Sequence, residues 1–190
     1  MTGLAYVGLD LSLTGAGIAL ALVTEGDAPE IKCKTLGRKG TNSETLAQRW
    51  RRIDQLARAV DDLVLAVPAP IGAIAIEAPA YSQSTGKTHD RSGLWWEVYR
   101  RVAEQGPTFE VGTGKVKIYA TGKGTADKDE IIASTVRRYP TAPISNNNEA
   151  DAVVLAAIAA RVAGASLEPS MPKTHLRALD GLTLKGAEMP

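Results

Sequence analysis

The sequence predicts a mixed-sheet α/β domain, and three observations carry that expectation. Its N-terminal part strings together three short β-rich runs separated by turn residues. The remainder alternates apolar runs with stretches of helical periodicity. With 190 residues, 44% apolar and 23% charged, the chain can bury one core of ordinary size. A three-stranded meander feeding alternating strand and helix units builds a mixed sheet rather than a purely parallel one.

The elements follow in order. Residues 4–10 and 16–23 are apolar and β-branched, with "SLTGAG" between them, the pattern of a hairpin with glycine in its turn. "EIKCKTLG" alternates polar and apolar residues, as a third strand with one exposed face does. Residues 43–66 predict an amphipathic helix, with Leu46, Trp50, Ile53, Ala57, Val60 and Val64 at spacings of three and four and Asn42 or Ser43 as N-cap. "PIGAIAIEAPA" is a strand bounded by prolines with Glu77 at its C-terminal end. The polar loop "YSQSTGKTHDRSG" leads to a helix over 92–104; "FEV" and the residues after it form the fifth strand; a glycine-rich turn precedes a helix over 128–139. A last apolar helix covers 148–162 and stops before Gly164. From Ser166 onward the periodicity is weak and three prolines intervene, so the expectation is a domain over 1–165 and an appended tail over 166–190.

Charge and cysteine content narrow the classes. Lys and Arg number 22 against 21 Asp and Glu, a net charge of +1, so a nucleic-acid partner would have to be met by local arrangement rather than bulk charge. Cys33, the single cysteine, cannot form an internal disulfide, and no signal-peptide pattern opens the chain; a reducing cytoplasmic setting is expected. The apolar stretches around 63–80 and 152–165 are interrupted by prolines or alanine-rich and too short to span a bilayer, so no membrane partner is expected. No tandem repeat and no zinc-type Cys/His cluster is present.

Three carboxylates stand in apolar contexts. Asp10 lies between Leu9 and Leu11 on the first strand, Glu77 ends the fourth, and Asp151 in "NEADAVVLAA" falls in the first turn of the last long helix. Singly, each reads as a solvated strand end or as a partner for the helix dipole. The first and fourth strands can be neighbours, however, and the final helix can pack across them, which brings the three together. Converging carboxylates repel unless protonated or bridged by a cation. No Lys or Arg lies within two positions of any of them. An all-oxygen set of this kind suits Mg²⁺ or Mn²⁺, and two such ions about 3.5–4 Å apart promote phosphodiester hydrolysis.

"GLDLSLTGAGIAL" resembles the first-strand Asp motif of the ribonuclease-H-like superfamily. "KVKIYATGKGTADKDEIIASTV" closely resembles the segment of RuvC-type Holliday-junction resolvases that runs from a Val-Lys pair through a G-x-G turn to A-x-K and a helix. "IEAP" and "NEADAVVLAA" fit that family's second and last acidic motifs, so four ordered blocks cover residues 4–163. The resemblance implies a ribonuclease-H-like fold, a five-stranded mixed sheet flanked by helices. It further implies a structure-selective endonuclease that uses two Mg²⁺ or Mn²⁺ ions per site to resolve four-way DNA junctions into products with 5′-phosphates. Asp10, Glu77 and Asp151 would be metal ligands, and Lys117 and Lys128 would contact the DNA backbone and assist catalysis. Gly122 and Gly124, with Lys123 between them, would let backbone N–H groups approach a phosphate.

Two positions depart from the family pattern. Many relatives place Asp or His three residues before the last Asp; here Asn148 stands there, with Glu149 beside it, and either could complete the metal set. Some relatives place an aromatic three residues after the second acid; here that position is Ala80, and Tyr81 follows as a candidate for base stacking. Loop cations Arg38, Lys39, Lys87, Arg91, Lys115 and Lys123 are candidates for phosphate contacts, which position DNA without reading its bases. In "LWWEVYRRV", Trp95, Tyr99 and Val102 share one stripe and Trp96 falls off it. Resolvases of this type are similar to one another in forming C2 homodimers, which makes Trp96 a dimer-contact candidate. Two other readings remain open: a ribonuclease-H-like nuclease for flaps, forks or other branched DNA, and a catalytically weak junction-binding protein, which Asn148 favours.

Overall fold

The computed structural model describes residues 3–79 and 88–184. Strands β1 (Leu4–Asp10), β2 (Ala16–Val23) and β3 (Glu30–Leu36) form an antiparallel meander. Strands β4 (Ile71–Glu77) and β5 (Thr108–Val111) add to its other side, β4 parallel to β1 and β5 parallel to β4. The result is the expected five-stranded mixed sheet, in the order β3-β2-β1-β4-β5. The crossover helices are α1 (Leu46–Leu65) and α2 (Thr88–Val102), which pack on each other and on one face of the sheet around Val7, Leu9, Ile74 and Ile76. On the other face lie α3 (Thr113–Thr121), α4 (Lys128–Arg138) and α5 (Asn147–Val162). Among the described residues, no helix is long and apolar enough to cross a membrane.

Four expectations shift. The residues after "FEV", expected to continue a strand, instead form α3; its buried residues Val116, Tyr119 and Ala120 fall at helical spacing inside a segment whose Val-x-Ile alternation looks extended. Helix α1 is capped by Thr45 rather than Asn42 or Ser43. A Thr-x-x-Gln box decides this: the Thr45 hydroxyl accepts from the Gln48 amide at 3.3 Å, and Gln48 Oε1 accepts from the Thr45 amide at 2.8 Å. The predicted stripe holds only from Ile53 onward, since Leu46 and Trp50 are 78% and 60% exposed. Finally, the segment beyond Ser166 does not hang free. Helix α6 (Lys173–Leu176) and a 3-10 turn (Arg177–Leu179) lie against α3, with Leu167 and Ala178 buried in the same core as α5.

Close contact between α5 and the sheet requires glycine at two positions. A Cβ on Gly8 would sit 2.0 Å from the Ala152 carbonyl, and one on Gly17 would sit 2.0 Å from the Asn148 carbonyl. Small residues on both sides therefore let the helix backbone rest directly on β1 and β2. This contact fixes where the first two turns of α5 present their side chains.

Candidate active site

Asp10 and Glu77 are each the last residue of their strand, one step past the paired Leu9 and Ile76 on neighbouring parallel strands. Their carboxylates therefore stand side by side outside the carboxyl ends of the sheet, where open α/β folds place ligands. Helix α5 crosses above them and contributes Asn148 and Asp151, one turn apart on the same face. These four residues line one cleft of about 510 Å³. Ser12, Thr14 and Thr113 add hydroxyls to its wall, Arg91 and Lys128 bring positive charge, and Trp95 brings an indole ring. The Trp95 Nε1–H donates to the Glu77 carbonyl at 3.0 Å, which ties the end of β4 to α2.

The electrostatics of the cleft are those of carboxylates short of a counter-charge. Burial, then the charge of Glu77 and a hydrogen bond with it, then Asp151, push the Asp10 carboxyl up to about 9 against a smaller pull from Lys128. Burial and Glu77 raise Asp151 to about 7, opposed by Lys128 and Lys117. Asp151 Oδ1 is buried with no hydrogen-bond partner. Among the described residues, no group of three or more His, Cys, Asp or Glu side chains is already closed around a point that could hold an ion. The donor chemistry nonetheless fits a hard divalent cation: oxygen atoms only, buried carboxyls whose ionisation a cation would favour, and one carboxylate oxygen left without a donor.

The structure separates the sequence-predicted residues into three groups. Asp10, Glu77, Asp151, Asn148, Lys128 and Arg91 share the cleft, and Lys117 stands close enough to act on Asp151. Glu149 does not join them. It is buried on the far side of α5, where its carboxylate accepts from the Ser145 amide and hydroxyl at 2.8 and 2.7 Å and from Thr35 at 3.0 Å. Burial opposes ionisation there, but these hydrogen bonds outweigh it and hold the carboxyl below its ordinary range. Helix α5 begins at Asn147, so Asn148 and Asp151 point one way and Glu149 the other.

The phosphate-cradle expectation for "TGKGTADK" is also corrected. Gly122 is the left-handed C-cap of α3 (φ 79°), and its N–H donates to Ile118, not to a ligand. The Lys123 amide donates to Thr121 Oγ1, and its ammonium pairs with Glu130 at 3.3 Å. A Cβ on Gly124 would meet Ile118 only at ordinary contact distance, and Asp127 caps α4 by accepting from the Glu130 amide. Lys115 donates to the carbonyls of Ala178 and Asp180. Arg38 and Lys39 are exposed, Trp96 is 62% exposed, and Tyr81 and Lys87 lie outside the described residues. Sequence reasoning missed Trp95 and Thr113 as cleft residues. Trp95 was hidden in a stripe that reads as core, and Thr113 in a helix that reads as strand.

No protein-family model and no curated protein matches this sequence. Solved structures do match its fold. Thermus thermophilus RuvC superposes with a TM-score of 0.62 at 19% identity, covering 80% of this chain and 91% of that one. The same organism's RuvC in complex with Holliday junction substrate gives 0.61 at 17% identity, covering 80% and 90%. The yeast mitochondrial Holliday junction resolvase gives 0.53 at 12% identity, covering 79% and 75%. The chain thus has the ribonuclease-H-like fold of RuvC.

Proposed function

We propose that this chain is a divalent-metal-dependent endonuclease that resolves four-way DNA junctions. One observation carries the reading: Asp10, Glu77 and Asp151, far apart in sequence, meet in a single cleft where burial and mutual repulsion resist ionisation more than the nearby lysines favour it. The likeness in fold to resolvases, one of them in complex with a Holliday junction substrate, supports the choice of substrate. Mg²⁺ or Mn²⁺, two ions held by Asp10, Glu77, Asp151 and the neutral oxygen of Asn148, would supply a nucleophile at neutral pH and offset charge on the phosphate being cleaved. The chain's own groups do the rest. Lys128 and Arg91 hold the scissile phosphate against the carboxylates, and Lys117 lowers the cost of a second ionised acid beside Glu77. Trp95 fixes the end of β4 so that Glu77 keeps its place. A homodimer joined through the Trp96 face would present two such clefts to the two equivalent strands of a junction, giving paired cuts with 5′-phosphates.

The test is cleavage of a labelled synthetic four-way junction with and without Mg²⁺, beside flap, fork and linear duplexes. Selective, magnesium-dependent cutting is expected, with Asp10→Asn and Glu77→Gln binding the junction but leaving it intact. Equal cutting of flaps or forks would make the enzyme a general branched-DNA nuclease. Asn148 in a position where many relatives carry Asp or His favours a second reading, a junction-binding protein with weak turnover; tight binding in EDTA with no cutting in Mg²⁺ or Mn²⁺ would establish it.

A further inference from the structure

The segment 166–184 is built into the molecule against α3. Its inner end is anchored by Glu168, which is buried and accepts from Tyr119 at 3.1 Å, from Tyr139, and from Arg161 Nη2 at 2.7 Å. Its outer end clamps the C-terminus of α3, where free carbonyls attract cations. Tyr119 O is met by Arg138 at 2.9 Å and by the His175 ring at 2.9 Å, and Gly122 O accepts from Arg177 at 3.3 Å. The left-handed turn at Gly122 is packed so closely that a Cβ there would lie 3.2 Å from His175 Nε2 and 3.4 Å from Thr174 Oγ1. Lys115, a candidate phosphate contact, is taken up by the carbonyls of the same segment.

In exchange the segment brings two cations of its own. Lys173 and Arg177 are exposed, four residues apart in the helical run that contacts Gly122, and among the described residues neither forms an ion pair, though Arg177 also donates to the carbonyls of Gly122 and Thr174. The Arg177 contact with Gly122 sets it beside Lys123 in the turn that joins α3, with Thr113 in the cleft and Lys117 acting on Asp151, to α4, whose first residue Lys128 lines the cleft. Nine residues of α3 run from Thr113 in the cleft to the Gly122 end of this turn. At 1.5 Å per residue that is about 13 Å, or about four phosphates along one strand at 3.4 Å each.

We propose that Lys173 and Arg177 form a phosphate-contact surface that guides the DNA strand leaving the cleft over the α3–α4 turn. The proposal rests on the nuclease reading above. A rigid mount and cations without ion pairs, on the segment that clamps the far end of α3, are what backbone contacts require; they give affinity without sequence preference.

The test measures affinity of the full-length protein for a fluorescent four-way junction in EDTA between 50 and 200 mM KCl. Wild type and Lys173→Ala/Arg177→Ala are compared. Losing two phosphate contacts lowers the slope of log affinity against log salt by about 1.8, so the wild type's advantage shrinks about twelvefold across that range. Lys173→Ala alone, whose side chain has no ion pair to lose, should remove about 0.9 of slope, and Arg177→Lys should restore most of the Arg177 share. A double variant with wild-type affinity and slope overturns this surface while leaving the nuclease reading standing. A wild type that binds no DNA overturns both, and one that binds linear duplex as tightly as junctions overturns junction selectivity alone.

Discussion

Asp10 carries the sharpest consequence at the scale of one residue. Its carboxyl, ordinarily near 3.8, is held at about 9 by burial first and then by Glu77 and Asp151. The unfolded chain therefore releases this proton near 3.8 while the folded, metal-free chain keeps it until about 9. Across that window the unfolded state binds fewer protons, so the group's contribution to stability falls as pH rises and levels off above it. Asp10→Asn removes the effect. At pH 8 without metal the variant should melt above wild type, by about 2–4 °C for each kcal/mol relieved, and the gain should shrink at pH 5. Asn148→Asp should do the reverse, lowering the metal-free melting temperature and enlarging the rise that Mg²⁺ produces. An Asp10→Asn variant less stable than wild type at pH 8 would contradict the account. Asp10 is legible in the sequence because an acid between two leucines on a strand demands a compensating charge. The choice between Asn148 and Glu149 is not, since it turns on where α5 begins, and that is set by Asn146 accepting from the Glu149 amide at 3.1 Å.

At the scale of elements, what local pattern records is legible and what tertiary contact decides is not. The hairpin, β4 with Glu77 at its end, α4 and α5 follow from periodicity and caps close to where they are found. Helix α3 does not. Its N-cap, Gly112, makes no side-chain hydrogen bond, and its C-terminus is finished by Arg138, His175 and Arg177 from elsewhere in the chain. Nor can a sequence show that Gly17 is the floor on which Asn148 rests. Gly17→Ala tests that contact. The added methyl meets a backbone carbonyl, which cannot rotate aside, so α5 must lift. Overpacking of this kind costs about 1–3 kcal/mol. Because Asn148 and Asp151 ride on the displaced turn, cleavage should fall at least tenfold while the far-ultraviolet circular dichroism spectrum stays that of the wild type. A Gly17→Ala variant with full activity would mean that α5 has room the geometry denies.

At the scale of the whole molecule, the sheet separates two cores, and the C-terminal segment closes the one beneath α5. Glu168 is the centre of that closure. Burial, and then the charge of Glu168, push both Tyr119 and Tyr139 well above their ordinary range, so they stay neutral donors to it. Arg161 is its ionic partner at 2.7 Å. Removing the carboxylate strands a largely buried guanidinium and two buried hydroxyls together. Breaking a buried pair from one side costs about 3–5 kcal/mol, which for a chain of this size is a fall in melting temperature of about 6–20 °C. Glu168→Ala should show that loss. Glu168→Gln, which keeps an acceptor for the tyrosines, should show less of it, and deletion of residues 166–190 should show at least as much as Glu168→Ala, since Leu167 and Ala178 leave the core as well. Thermal melts followed by near-ultraviolet circular dichroism read the order of the three. A deletion variant that melts with the full chain would mean that the first 165 residues complete their own core, and that the clamp on α3 is decoration rather than structure.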